Sequence, residues 1–579
     1  MEKDQKFLQI PYGESNFERI RTENFLYVDK THFIRQLESI SRSIHLRPRR
    51  FGKSLFVNML EAYYDVASRD RFDELFGGLY IHASPTVAKN SYYILHFDFS
   101  GIATKDVETV MEGFLAKVKS GVELFISKYN LDIEIGNQSS PSVILNTLLS
   151  GFDKLNLENK IYILIDEYDH FTNAVLNNGL ADFTTLVTRG GTVRSFYEVL
   201  KEKCGRGIVE RFFMTGVMSV SLDSMTSGFN IATNITTDEK FADMMGFTTD
   251  EVKGVLATTL QNSNQEGVDL TESEQEEVYD ILKQNYNGYS FSEESDVKVF
   301  NSTLIMYYLQ KYIEKKKHPA DLIDPNLNQS GTTIRNLVEL ANAKMNYEVV
   351  EEIVREKRIS GRLSNFIDVD KRFDKNDFIT VLFNIGFLTI KEAGMLTKFE
   401  MPNKVIESVY YEYMAELAAI RYNYKIDVTK QEAAILEMGE KGKIDMITSH
   451  VSNFLEHLSG RNAINFDEKY IKMVYLQFLF PTTQYVVYDE FPAKQGYTDL
   501  VILKAPVSYA EYEILIELKY VKKGKIDKTM QAHVEQKFSD GIAQVAEYMQ
   551  DRRLAGRPNL KKFVVVFAGF EIARLEEIE

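Results

Sequence analysis

Between Tyr92 and about Ile235 the apolar positions fall into short continuous runs, and amphipathic stretches separate them. Tyr93–Phe97, Ile161–Ile165 and Arg211–Met214 are strand-length, rich in β-formers and bounded by polar residues, which predicts buried strands. Asp106–Tyr129 and Val193–Lys203 carry the helical period. Strands alternating with helices predict a parallel α/β sheet. Upstream, Ser43–Leu46 is a short strand candidate, and Leu55–Tyr64 is helical in period. From about Thr236 to Asn346 the pattern is mostly helical, with Thr271 and Glu274 placed as a capping box. Lys375–Asn403 predicts a helix ending at Gly386 and then a hairpin, Phe387–Ile390 and Leu396–Glu400, turning near Gly394. A helix follows Pro402, and this helix–hairpin–helix order is winged-helix-like. Met438–Lys443 is polar, holds Gly439 and Gly442, and reads as a hinge. Beyond it come a helix (Asn465–Phe480), three strands (Gln484–Glu490, Tyr497–Leu503, Glu511–Tyr520), a helix from about Val534 and a last strand, Lys562–Ala568.

At 579 residues the chain has room for about three to five domains. Its 44% hydrophobic content can fill real cores, so wholesale disorder is excluded. The single cysteine, Cys204, excludes a disulfide scaffold and a four-cysteine zinc site, and reads as an inert thiol. Met1–Gln9 is charged and polar with no apolar segment behind it, so no signal peptide is expected. The apolar runs are far too short for a bilayer span. A soluble, cytoplasmic protein with no membrane partner is the expectation. With 68 basic and 84 acidic residues the net charge is −16, which excludes a uniformly cationic nucleic-acid coat. Two local basic clusters remain: Arg47, Arg49, Arg50 and Lys53, and Lys519, Lys522, Lys523, Lys525 and Lys528.

The first cluster lies in Arg-Pro-Arg-Arg-Phe-Gly-Lys-Ser, residues 47–54. Gly52, Lys53 and Ser54 fit the end of a P-loop, while Arg47 stands where its first glycine belongs. Such a loop cradles phosphate with backbone N–H groups and the N-terminus of the next helix, here through Arg49, Arg50, Phe51, Gly52, Lys53, Ser54 and Leu55. Lys53 would reach the β- and γ-phosphates, and the Ser54 hydroxyl would bind Mg²⁺. Alone, this is a weak signal that a basic helix start would also give. About 110 residues on, Ile161–Glu167 is an apolar strand ending in two acids. Asp166 would hold the Mg²⁺ shell and Glu167 would orient or deprotonate the attacking water. Solvated strand-end acids are common, but both halves together on an α/β pattern favour an NTPase.

Phe7–Ile20, Tyr27–Thr31, Leu46–Ser54, Ile165–Asp169 and Phe213–Val217 together resemble the bacterial AAA-ATPase-like proteins. That family carries Arg-Pro-Arg-Arg-Phe-Gly-Lys-Ser in place of a regular Walker A loop, so the resemblance accounts for the missing glycine. Tyr286–Tyr289 and the hairpin before Pro402 also look like its middle region. The resemblance implies that Thr215 senses the γ-phosphate, with a plain strand-end threonine as the equal alternative. For Tyr27–Thr31 packing outweighs an adenine wall. Arg47, Arg49 and Arg50 could neutralise phosphate, or one of them could be structural. Arg194 and Arg211 are conceivable arginine fingers, although neither is assigned. His170 reads as a hydrogen-bonded rim residue rather than a base.

A second constellation follows the same logic. Asp499 falls on the strand Tyr497–Leu503, and Glu517 and Lys519 share one face of Glu511–Tyr520 because side chains alternate along a strand. A hairpin through Ala505–Ala510 would let Asp499 and Glu517 share a hard cation, Mg²⁺ or Mn²⁺. Lys519 would position the attacking water or stabilise the charge of phosphodiester hydrolysis. A solvated strand pair is the bland reading. The order helix, three strands, helix, strand resembles the PD-(D/E)XK nuclease fold, with which the AAA-ATPase-like family commonly ends. That resemblance implies two further residues. Glu468 matches the first-helix acid, with helix-dipole stabilisation as the alternative. Gln544 matches a later helical glutamine, with solvent or capping duty as the stronger alternative. The family's Gly-Arg turn is replaced by Gly496-Tyr-Thr.

The expectation is therefore a multidomain α/β protein. Residues 1–235 form a P-loop NTPase domain on a parallel sheet, and 236–437 a helical lid and winged-helix-like middle. Residues 438–464 are a linker, and 465–579 a restriction-endonuclease-like α/β domain. ATP and Mg²⁺ are the expected cofactors, nucleic acid (DNA before RNA) the expected partner, and a homo-oligomer is compatible. The rival reading is an ATP-driven regulatory or defence switch whose last domain binds nucleic acid or a partner without cleaving.

Overall fold

The computed structural model describes residues 8–103, 105–170, 191–218, 231–261, 271–319, 322, 324, 330–339, 342–364, 373–422, 424, 426–459, 467–480, 482, 484–489, 491, 493, 497–505, 508–522 and 528–579. Phe7, Asn465, Gly496, Lys523 and Lys525, and the side chain of Lys528, lie outside the described set. The chain divides into two compact units. One comprises 1–314, 335–349 and 358–404, the other 315–334, 350–357 and 405–579.

In the first unit, β1 (Arg42–Leu46), β2 (Tyr92–Asp98), β3 (Lys160–Asp166), β4 (Val209–Gly216) and β5 (Thr233–Asn234) form one parallel sheet in the order β2-β3-β4-β1-β5. The central strands are buried along nearly their whole length, which is why they read as continuous apolar runs rather than alternating ones. The helix Val107–Lys128 buries Val110, Phe114, Val118, Val122 and Phe125, a single stripe at three- and four-residue spacing. Its N-cap Asp106 accepts the Thr109 N–H at 2.8 Å. Phe114 joins Phe97, Phe99 and Phe196 in an aromatic cluster against the sheet, with centroids 4.9–6.1 Å apart. Parallel strands place all their C-terminal ends on one edge, so the loops after β1, β3 and β4 converge there.

The first unit also holds a three-stranded sheet, β6 (Arg358–Gly361), β7 (Thr389–Glu392) and β8 (Thr397–Glu400), in the order β6-β8-β7. The expected hairpin is β7–β8, preceded by the helix Lys375–Asn384 and a left-handed Gly386. The third strand, β6, was not expected; its four residues are too short to show a period. Gly288 explains one motif of the middle region. Its φ is +98°, and a Cβ there would sit 1.9 Å from the Pro402 carbonyl oxygen, so only glycine fits.

The second unit is built on β9 (Tyr485–Asp489), β10 (Leu500–Lys504), β11 (Glu513–Val521), β12 (Leu560–Ala568) and β13 (Glu571–Ile578), in the order β13-β12-β11-β10-β9. The β11–β12 pair is parallel and the rest antiparallel. Val501, Leu515, Val564 and Val566 pack with Phe538, Val545 and Leu554 in one core cluster. β13 was not expected, because Glu571–Ile578 is an edge strand without a buried face.

Two readings are corrected here. Residues 438–464, taken as a linker with a hinge, hold the end of one helix (Val428–Lys441) and a second, Asp445–Ser459. Gly442 is the left-handed C-cap between them, and Ile444, Ile447, Val451, Leu455 and Leu458 are buried. Residues 236–437 are not one block either, since the two units divide them at Lys404 and Val405 and also share out 315–334 and 350–357. Within the second unit Glu356 pairs with Lys469 at 2.6 Å and Lys357 with Asp489, which ties 350–357 to its sheet and first nuclease-like helix.

Candidate functional site

The loop after β1 is shaped by residues with no room for alternatives. Arg50 (φ +71°) and Gly52 (φ +88°) are both left-handed, and Gly52 caps the helix Lys53–Tyr64. A left-handed arginine costs about 1–3 kcal/mol, so its surroundings must hold it. They do: the Arg50 carbonyl accepts the Thr303 N–H at 3.2 Å, and the Phe51 carbonyl accepts the Gly246 N–H at 3.0 Å. Phe51 itself is buried edge-on against Tyr289 and Phe291. Residues 246–303 of the first unit thus clamp the loop where ordinary P-loops rely on their first glycine.

Arg47, at that glycine's place, is 1% exposed. Its guanidinium donates to the carbonyls of Leu46 and Thr236 at 2.8 Å, Phe241 at 3.0 Å and Ala242 at 3.3 Å, and lies 4.1 Å above the Phe291 ring. Burial pulls its pKa down to about 9. Arg47 is therefore a bolt inside the loop, turned away from phosphate, whereas Arg49 is exposed. Lys53 is buried and folds its ammonium onto the Arg47 and Pro48 carbonyls at 3.1 Å.

Ser54 Oγ donates to Asp166 Oδ2 at 2.5 Å, joining the loop to the end of β3 across the intervening β4. The two side chains expected to share Mg²⁺ are thus in contact. Burial raises Asp166, against the Ser54 hydrogen bond. Glu167, one residue on, sits at φ +53°. Burial would raise it too, but the adjacent His170 imidazole, 3.6 Å away, and then the Lys53 and Arg49 charges outweigh that and hold it near about 2. Asp169 is buried and accepts the Val217 and Met218 N–H groups at 3.0 and 2.5 Å; burial and then the Glu167 charge raise it to about 6. Thr215, on β4, is 0% exposed, and its Oγ1 has no hydrogen-bond partner among the described residues. Arg211 donates to the Leu37, Glu38 and Ile40 carbonyls, and Arg194 pairs with Glu198 at 2.9 Å, so both are engaged within their own fold. Sequence reasoning missed Asp98, which ends β2 in register with Asp166. A strand-end acid after Tyr92–Phe97 was the available signal.

In the second unit, Asp499 lies one residue before β10, in a bend, and not on the strand itself. Its Oδ2 accepts the Leu518 N–H at 2.9 Å, which brings it to β11 between Glu517 and Lys519. Glu517 and Lys519 are 2% and 6% exposed, and Lys519 Nζ donates to Glu517 Oε1 at 2.6 Å. Glu468, the first residue of the helix Glu468–Leu479, sets its Oε1 3.8 Å from the same ammonium. Helix and strand pair therefore converge on one point. Burial raises Asp499, and burial with the Asp499 charge raises Glu517 to about 8. Burial, then Asp499, also raises Glu468. Three raised carboxyls around one ammonium carry more negative charge than the ammonium compensates. Gln544 is half-buried on the helix Lys528–Tyr548, and its Oε1 has no hydrogen-bond donor among the described residues. Tyr548, one turn on, was not singled out from sequence. Its hydroxyl donates to the Tyr497 carbonyl at 2.9 Å, and burial and then the Glu517 and Asp499 charges raise its pKa.

Both sites fit a hard divalent cation by donor chemistry: Ser54 hydroxyl with Asp166 carboxylate, and the pair Asp499 and Glu517. Among the described residues no cluster of three or more His, Cys, Asp or Glu is arranged to hold a metal. Water and phosphate oxygens would complete either shell, as Mg²⁺ prefers.

Comparison with known proteins agrees with this division. Residues 11–226 match the family described as "Predicted AAA-ATPase", and residues 466–577 match the PD-(D/E)XK nuclease superfamily. A curated "Uncharacterized protein in vnfD 5'region" from Azotobacter chroococcum mcd 1 is 28% identical over 305 residues. The match covers 51% of each chain, so this chain spans about half the length of that relative. Among the described residues no helix is long and apolar enough to cross a membrane.

Proposed function

We propose that the AAA-ATPase-like domain binds and hydrolyses ATP, and that its nucleotide state governs cleavage of a phosphodiester in DNA by the PD-(D/E)XK-like domain. In the first site the loop Arg49–Leu55 holds the phosphates. Lys53 moves from the Arg47 and Pro48 carbonyls to phosphate oxygens. Ser54 and Asp166 hold Mg²⁺. Glu167, anionic, orients the attacking water, and Thr215, with its free buried hydroxyl, contacts the γ-phosphate. In the second site Asp499 and Glu517 hold the cation. When bound, that cation polarises the phosphate and acidifies water. Lys519 places its ammonium against the charge that develops on phosphorus oxygens, and Glu468 holds Lys519 from the far side. Gln544 offers its amide to the substrate or its water.

The observation that carries the reading is the convergence of half-buried Asp499 on buried Glu517 and Lys519. Packing alone gives no reason to shelter two adjacent carboxyls that burial raises, whereas a shared cation would. Plasmid incubated with Mg²⁺, with and without ATP, tests it. Nicking that requires the cation and responds to ATP is the expected result. No cleavage by a protein that binds both ATP and DNA would favour the switch reading instead.

A further inference from the structure

His170, which reads from sequence as a hydrogen-bonded rim residue, has a more definite place in the nucleotide site. His170 Nε2 lies 2.9 Å from the Ile102 carbonyl oxygen, an acceptor only, so this nitrogen carries hydrogen. Nδ1 then faces Glu167 Oε2 at 3.6 Å. The ring is 14% exposed and the Glu167 side chain 19%, so the contact is sheltered from solvent. The Ile102 carbonyl belongs to the loop after β2, which makes His170 a strut between that loop and the acid after β3.

We propose that His170 is the positioning residue of Glu167: it holds the carboxylate at the angle from which that group orients water. The inference rests on the ATPase reading above and extends it. Two features of the site call for such a strut. Glu167 sits on a left-handed backbone that a glutamate adopts only under constraint, and its own N–H is turned to Asp166 Oδ1 at 3.0 Å. Glutamate also has three side-chain torsions, so an unanchored carboxylate would sample many directions. Among the described residues the imidazole feels the charges of Glu167 and Asp169, and both favour its cationic form, as does the Ile102 carbonyl. With Nε2 committed to a carbonyl and Nδ1 to Glu167, His170 is not itself placed to take a proton from water. Its effect passes through Glu167.

That dependence is measurable. In the full chain, His170→Ala should lower kcat for ATP by roughly ten- to a hundredfold, the size of a small misplacement, and leave nucleotide affinity within about twofold. His170→Gln, whose amide can donate to Ile102 O but brings no charge, should fall between Ala and wild type; it carries the test if the alanine variant melts early. The decisive arm is Glu167→Gln with and without His170→Ala. A strut acting through Glu167 has nothing left to position, so the second change should add no further loss. Equal fractional losses in both backgrounds, a loss of ATP affinity, or wild-type kcat in His170→Ala would each overturn the proposal. A wild-type chain that binds ATP and never turns it over would overturn the ATPase reading itself, and this inference with it.

Discussion

Replacing Arg47 by glycine would bring the loop to the ordinary P-loop pattern, and it should break the protein. The structure gives the magnitude. Arg47 supplies three good hydrogen bonds and one longer one to carbonyls, each worth about 1.5–3 kcal/mol as a charge-assisted bond. Its face on Phe291 adds roughly 2 kcal/mol in a dry site. Against these stands the cost of keeping the guanidinium out of water: a pKa drawn from 12.5 to about 9 corresponds to roughly 5 kcal/mol. Removing the side chain relieves that cost but leaves the carbonyls of Thr236, Phe241 and Ala242 without this donor and a void beneath Phe291. We expect a net loss of about 4 kcal/mol or more, in the range of a disrupted buried network. Arg47→Lys should do little better, because one ammonium cannot span four carbonyls. The exposed Arg49→Gly should leave stability within about 0.5 kcal/mol, as surface changes do. Denaturant unfolding read beside binding of a fluorescent ATP analogue would separate these effects. If Arg47→Gly melted with the wild type and bound nucleotide as well or better, Arg47 would be a spectator, and the clamp argument would fail.

Lys53→Ala should abolish nucleotide binding, while Glu167→Gln should bind ATP and hydrolyse it slowly; equilibrium dialysis and phosphate release distinguish the two. In the second unit, Asp499→Ala should weaken Mn²⁺ binding by calorimetry. Lys519→Ala should keep the metal and cut cleavage roughly 10²-fold, with ATP turnover unchanged in both when DNA is absent. The Glu61–His96 pair (2.8 Å) gives a pH test. Burial opposes the charged form of each, yet the pairing, helped by Lys128 on the Glu61 side, lowers Glu61 to about 2 and raises His96. The stability from Glu61 is complete above its ordinary 4.5 and is lost as pH falls toward 2. That from His96 is complete below 6.5 and lost as pH rises through its raised value. Glu61→Gln should lower the melting temperature most between about pH 4.5 and 6.5, and scanning calorimetry that found the largest loss above pH 8 would contradict the pairing.

Much of the first unit was legible because its chemistry is local. β1, the loop and the helix Lys53–Tyr64 are contiguous, and Ile161–Ile165 is buried on both faces, so periodicity alone marks it. The role of Arg47 was not legible. Its partners at Thr236, Phe241, Ala242 and Phe291 lie about 190 to 240 residues downstream, and a buried arginine looks like a basic one in a string of letters. The expected strand around Asp499 was displaced for a similar reason. Tyr497 and Thr498 continue the apolar alternation, but the Leu518 N–H captures the Asp499 carboxylate and bends the chain before β10 begins. Polar residues around Gly439 and Gly442 suggested a hinge. In the fold the Gly439 carbonyl accepts the Glu511 and Tyr512 N–H groups at 2.8 and 3.2 Å, a tertiary contact that no local pattern announces.

The two sites treat their carboxyls in opposite ways, and the difference bears on what each group can do. At the end of β3, neighbouring acids are pushed apart: burial raises Asp166 while His170, Lys53 and Arg49 hold Glu167 near about 2. A carboxyl held that low is a poor proton acceptor at neutral pH, so Glu167 serves better by fixing the orientation of water than by removing its proton. That is the role in which the His170 strut matters. Around β11 burial raises every acid. Asp499, Glu517 and Glu468 are all raised, and one ammonium lies among them. Glu517, at about 8, is largely protonated at pH 7, so binding a divalent cation there must expel a proton. Metal affinity should therefore climb close to tenfold from pH 6 to 7 and flatten above 8. Calorimetry at pH 7 in two buffers of different ionisation enthalpy would count the protons released. Close to one proton per Mn²⁺ fits a sheltered pair that shares a cation; none, with affinity flat from pH 6 to 8, would mean that Glu517 is already ionised and the shared-cation argument has lost its basis.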